Sequence, residues 1–171
     1  NGREETTTLV LIPEIARHVK IPLIAAGGIG TGAQMAAAFA LGAEGVQVGS
    51  RFVATHESSA HPAFKTAVVK AKEGDTRLTL KQLTPVRLIT NQFFKQVDEA
   101  EKRGAGTDEL RELLGRARAK KGMFEGDLDE GELEIGQVSA LIDHIQPAAE
   151  VLREIHNEFR ATLARLSALQ V

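Results

Sequence analysis

The sequence predicts an α/β fold carried on parallel strands, and three observations predict it. Ile21-Pro22-Leu23-Ile24-Ala25-Ala26 is a short, continuous apolar run, the pattern of a parallel strand covered on both faces. The stretch from Ala33 to Leu41 is strongly helix-forming. It lies between Thr31, a good N-cap, and Gly42, which fits the position just past a helix end. Gly45-Val46-Gln47-Val48-Gly49-Ser50 then repeats the opening pattern, an apolar strand stopping at a glycine and a small hydroxyl residue. These observations place core strands at Leu23–Ala26 and Gly45–Val48, joined by one helix.

The strand ends carry the first chemical expectation. Gly27 and Gly28 remove side chains where the first strand stops, so backbone N–H groups can face a ligand without obstruction. Either corner alone also reads as a plain turn. Two neighbouring parallel strands that both end this way make a phosphate cradle, supplying convergent N–H donors from Gly27, Gly28 and Gly49 and a hydroxyl from Ser50. In (β/α)8 barrels such a cradle forms after the last two strands, at the carboxyl-end face. Arg51 either adds charge to the phosphate or faces solvent.

The remaining elements follow in order. Asn1 to Thr8 is polar and Thr-rich and reads as a loop. Pro13 suits the first turn of a helix reaching about Val19, with Leu11, Ile12, Ile15 and Val19 on its apolar side. Ser58 or Ser59 caps a helix from about His61-Pro62 to Ala71, and Arg77–Leu80 has short strand-like alternation. From Gln92 the composition turns charged and helical. Helices are expected at Gln92–Lys102, Asp108–Lys120 with a break near Gly115, Glu134–Ile142 and Pro147–Ala168.

Composition sets bounds. The formal net charge of −2 argues against a nucleic-acid partner. With no cysteine there is no disulfide, thiolate nucleophile or Cys-ligated metal, which suits a cytoplasmic enzyme. No apolar run approaches the ~20 residues needed to cross a membrane. A (β/α)8 barrel needs eight strands and about 250 residues. Two core strands in 171 residues that begin at Asn1 rather than Met lead to the expectation of a carboxyl-terminal half. Alone, that half would leave sheet edges and apolar faces open and would not fold stably.

Other polar groups invite blander readings. His18 sits at a helix end, where it complements the dipole. His56 and His61 flank a Ser-rich turn and can cap or bond the backbone, while His144 and His156 fall on expected tail helices. Their spacings match no metal-ligand pattern. Glu125-Gly126-Asp127-Leu128-Asp129-Glu130-Gly131 looks like half of a calcium loop, but the fifth position from Asp127 is Gly131 rather than an oxygen ligand. It reads as a solvated acidic turn, and Arg116, Arg118, Lys120 and Lys121 as a solvated basic helix face.

Ile21 to Phe52 resembles the last two βα units of the nitronate monooxygenase family of flavin barrels, which includes FMN-dependent enoyl-ACP reductase II enzymes. The resemblance continues through His56-Glu57-Ser58-Ser59-Ala60-His61-Pro62-Ala63-Phe64-Lys65, Pro85-Val86-Arg87, Asn91-Gln92, Glu125-Gly126-Asp127 and Gly136-Gln137. It implies the C-terminal portion of a (β/α)8 TIM barrel followed by a helical appendage, incomplete as a barrel on its own. Residues 1–72 would be the last βα units and residues 73–171 a mainly helical region packed on them. It implies FMN, its phosphate at Gly27, Gly28, Gly49 and Ser50, with Ala26 and Gln47-Val48 along the ribityl chain and ring edge. It also suggests that the acidic turn and Gly136-Gln137 close over the flavin side. The family's catalytic histidine would fall immediately before Asn1, so no catalytic residue is expected in this chain. The implied activity is oxidation of alkyl nitronates with O2, or reduction of an acyl-thioester substrate with NAD(P)H. A sugar-phosphate isomerase or aldolase barrel, or an inert half awaiting its N-terminal partner, are the alternatives of another class, and a homodimer stays open.

Overall fold

The structure, a computed structural model, describes residues 6–169. The first five positions of the expected N-terminal loop lie outside that range. At its amino end, helix α1 (Thr8–Ala16) precedes strand β1 (Ile24–Ala26), helix α2 (Gly32–Ala40) and strand β2 (Gly45–Gln47). β1 and β2 pair in parallel, Ile24 with Gly45, Ala25 with Val46 and Ala26 with Gln47. Thr31 caps α2 in a full capping box with Gln34, as its sequence predicts, and Gly42 follows the helix with a positive φ of 106°. Ile12, Ala25, Ile29, Ala38 and Ala43 form the core between these elements.

Two expectations fail here. α1 begins at Thr8, so Pro13 lies inside the helix rather than in its first turn. Pro lacks an N–H and forfeits the bond to Leu9 O, which the short helix tolerates. Of its expected apolar side only Ile12 is buried, while Leu11, Ile15 and Val19 are exposed. Strand β1 is also not covered on both faces: Ala25 is buried, but Ile24 is 54% exposed.

The chain then passes through a one-turn helix α3 (Ser50–Val53) into α4 (Pro62–Lys70). The cap of α4 is His61, whose Nδ1 accepts from Ala63 N–H at 3.2 Å. Ser58 instead closes its own turn by accepting from Ala60 N–H. An antiparallel hairpin follows, β3 (Thr76–Thr79) with β4 (Val86–Ile89). The sequence suggests β3 alone, because β4 is short and directly follows Pro85. Helices α5 (Gln92–Lys102), α6 (Thr107–Leu114) and α7 (Arg118–Met123) come next, the break at Gly115 included. Leu80, Val86, Leu88, Phe93, Val97 and Leu110 form a core under the hairpin.

The helix expected over Glu134–Ile142 is not formed. Glu134 bridges to Leu88, and Ile135 N–H donates to Arg87 O, so residues 134–135 extend the hairpin edge. Only a 3-10 turn over Gln137–Leu141 follows. Ladder bonds and burial of Leu133 and Ile135 in the central cluster with Phe64 and Val68 win over a weak helical periodicity. His144 accordingly lies in an extended connection rather than on a helix, bonding the Asp143 carboxylate and Gln146 Oε1.

The last helix, α8 (Ala148–Ser167), returns to the amino end and lies on α2. The backbones meet at Gly32, where an added Cβ would stand 2.2 Å from Ile155 O and Phe159 N. Gly32 N–H donates to Glu158 Oε2 at 2.7 Å, and Phe39 and Phe159 stack edge to face at 5.5 Å. Among the described residues no helix is long and apolar enough to cross a membrane.

Two outcomes test this packing. Gly32→Ala drives a methyl into rigid backbone and should cost about 2 kcal/mol or more. Gly106→Ala, whose Cβ meets nothing within 4 Å and which loses only a helix-capping glycine, should cost no more than about 1 kcal/mol. Denaturant unfolding of the intact protein compares them, and equal effects would contradict the close α2–α8 approach.

The second outcome concerns Glu132, which is buried. Burial, with a smaller contribution from Glu134, raises its carboxyl from 4.5 to about 7, against a weaker opposing pull from Arg118. A carboxyl raised by folding keeps its proton in the folded state, so stability declines as pH climbs from about 4.5 to 7 and then levels. Glu132→Gln should therefore raise the melting temperature clearly at pH 8 and barely at pH 4.5. An equal gain at both values would contradict a protonated buried carboxyl.

Candidate functional site

The parallel register determines where the two glycine corners fall. Ala26 pairs with Gln47, so Gly27-Gly28 and Val48-Gly49-Ser50 leave adjacent strands at the same level. Paired strands lie about 4.8 Å apart, which sets the corners side by side. Gly27 and Gly28 take positive φ values of 94° and 71°, a conformation that side chains resist. A Cβ added at Gly27 or Gly49 would project into open space. The Gly28 and Gly49 N–H groups find no acceptor among the described residues. Ser50 Oγ accepts from Gly136 N–H at 3.0 Å. Ala26 and Gln47 are exposed and Val48 half-buried along the same rim.

One neighbour escapes the sequence reading. Thr8 opens α1, and its Oγ1 would stand 3.8 Å from a Cβ at Gly28. It places a hydroxyl beside the first corner. The run of three threonines ahead of an apolar helix was the available signal, but a loop reading of Asn1–Thr8 hides it.

The α2 N-terminus, in contrast, has most of its donors occupied. Gln34 Oε1 accepts from Gly30 and Thr31, Thr31 Oγ1 accepts from Gln34, and Glu158 accepts from Gly32. A carboxylate of the protein already sits at the positive end of that helix. The two corners, by contrast, carry no carboxylate of the protein among the described residues.

Arg51 does not face solvent, the second of the two roles its sequence position suggests. It is 7% exposed, reaches Ala54 O and His144 O at 3.5 Å, and pairs with Glu154 at 3.7 Å. It ties α3 to the segment before α8 and to α8 itself.

The remaining polar candidates serve the fold. His18 Nδ1 bonds Glu14 O at 2.8 Å, His61 caps α4, and His156 lies exposed on α8. The acidic turn folds around its own carboxylate, since Asp127 Oδ1 accepts from Asp129 and Glu130 N–H. The Glu130 bond first, then Lys121, holds the Asp127 carboxyl below its ordinary range. Asn91 Nδ2 donates to Leu128 O and Gly131 O, fastening the turn to α5, and Gly126 presses on the His61 ring. Of the late segments expected to close over the site, Gly136 is the one bonded to a corner.

Arg118 is not part of a solvated face. It donates to Leu113 O, Leu114 O and Glu130 O and stands 4.5 Å above the Phe93 ring. Lys120 and Lys121 pair with Glu125 and Asp127. No cluster of three or more His, Asp or Glu that could hold a metal occurs among the described residues. A cavity of about 190 Å³ lined by Arg87, Glu134, Ile135 and Gly136 adjoins Ser50 through Gly136. A wider groove of about 570 Å³ beside α4 shares no residue with the corners.

Comparison with known proteins places this architecture. Residues 1–158 match the family model described as nitronate monooxygenase. A Bacillus subtilis protein described as "Probable nitronate monooxygenase" is 34% identical over 137 residues, covering 80% of this chain and 39% of its own. Among solved structures, FabK from Thermotoga maritima superposes with a TM-score of 0.89 at 42% identity, covering 96% of this chain and 52% of that one. Nitroalkane oxidase from Streptomyces ansochromogenes gives 0.76 at 30% identity, covering 93% and 45%. The chain thus spans about half the length, or less, of these relatives. It belongs to the nitronate monooxygenase family.

Proposed function

We propose that the two corners hold the phosphate of FMN, and that the protein is an FMN-dependent oxidoreductase of the nitronate monooxygenase type. The observation that carries this reading is the donor set. Gly28 and Gly49 present N–H groups at one level that find no acceptor among the described residues, Ser50 adds a hydroxyl, and the space a Cβ would fill at Gly27 and Gly49 is open. A phosphate monoester needs such convergent donors. Gly27 shapes the turn, while Ala26, Gln47 and Val48 line the approach for the rest of the flavin.

When bound, FMN supplies the two-electron chemistry that oxidises an alkyl nitronate and passes electrons to O2. The residues of this chain anchor and orient, and none of them is assigned as the base. The exposed Ile24 face of β1 and the open edges of the β1–β2 pair are where the remaining barrel strands, the N-terminal half, would pack.

A second reading is an enoyl-ACP reductase II, taking electrons from NAD(P)H for an acyl-thioester substrate. The likeness to FabK favours it. The discriminating experiment is anaerobic mixing of the intact, flavin-loaded protein with an alkyl nitronate or with NADH or NADPH. The visible flavin band should bleach with nitronate and persist with the nicotinamides. Bleaching by NADH or NADPH alone would install the reductase reading. A colourless protein that takes up no FMN would sink both and favour a sugar phosphate in the cradle.

A further inference from the structure

One short segment ties the two corners together without belonging to the parallel sheet. Gly136 donates its N–H to Ser50 Oγ from 86 positions away in sequence. A serine hydroxyl has one proton and two acceptor lone pairs. One lone pair is held by Gly136, and no acceptor among the described residues takes the proton. The proton is therefore left to donate away from Gly136. An added Cβ at Gly136 would stand 2.8 Å from Ser50 Oγ, so a side chain there pushes that hydroxyl out of its place.

Two residues later the same segment reaches the chain just past the other corner. Buried Val138 fills the room beside Gly30, where a Cβ would lie 2.7 Å from Val138 Cγ2. Gly30 follows Gly27-Gly28 closely, so Val138 sets the chain leaving that corner. The segment is itself anchored upstream, by the Leu88–Glu134 bridge and the Ile135-to-Arg87 bond, and downstream by the 3-10 turn in which Ser139 N–H donates to Gly136 O.

We propose that residues 136–138 form a clasp for the cradle. Gly136 is a positioning residue that turns the Ser50 hydroxyl proton toward the bound phosphate, and Val138 holds the Gly27-Gly28 corner level with it. This rests on the phosphate reading above.

The test compares FMN with riboflavin, which lacks the phosphate, by fluorescence titration of the intact apoprotein. The ratio of the two dissociation constants isolates the phosphate contribution. Gly136→Ala should cut the preference for FMN about tenfold, the scale of one hydrogen bond to a charged group. Riboflavin binding should stay within about twofold, and the change should add little in a Ser50→Ala background. Val138→Ala, a milder alteration, should lower the ratio in the same direction and decides the matter if Gly136→Ala fails to fold. If Ser50→Ala leaves the FMN preference intact, the phosphate reading itself falls. If Ser50→Ala lowers it, the clasp is overturned by folded clasp variants that keep the ratio, weaken riboflavin equally, or add in full to Ser50→Ala.

Discussion

The parallel register that sets Ala26 beside Gln47 is the constraint on which the candidate site depends. Strand register is a discrete quantity, and a slip of one residue would turn Ala25 out of the core and carry one corner out of level with the other. The register is held by buried contacts rather than by the two short strands alone. Ala25 packs with Ile12, Ile29, Ala38 and Ala43, and α2 spans the strands under a complete capping box. A site made from main-chain amides needs this kind of support, because its donors have no side-chain torsions with which to correct an error.

The later half of the chain supplies the rest of that support. α8 returns across α2 at a point where only glycine fits, and its Glu158 takes the Gly32 N–H at the helix start. The hairpin edge carries Gly136 to Ser50. The region beyond residue 72 is therefore not a purely helical attachment. It contains an antiparallel hairpin with its own core and returns twice to the parallel pair. The buried cations follow the same logic. Lys65 donates to Thr55 O and His56 O, and Arg51 bridges Ala54, His144 and Glu154, so charge is spent on tying segments rather than on a ligand.

What could be read from the sequence was local. Thr31, Gly42, the strand ends and the limits of α5 all follow from signals within a few residues; the caps and α5 appear where those signals put them, and the strands within one residue. What stayed hidden depends on partners far along the chain. The extended path of Glu134 and Ile135 exists because β4 offers an edge, and β4 exists because β3 pairs with it. Arg51 is buried by a segment more than ninety positions later, and Thr8 meets Gly28 only once α1 has packed.

The most direct test of the central claim is the position of the phosphorus atom in a crystal structure of the intact protein with FMN. The account predicts it within hydrogen-bonding reach of the Gly28 and Gly49 N–H groups and the Ser50 hydroxyl, with no contact to Arg51. A phosphorus atom lying away from both glycine corners, at the α2 N-terminus or in the groove beside α4, would contradict it.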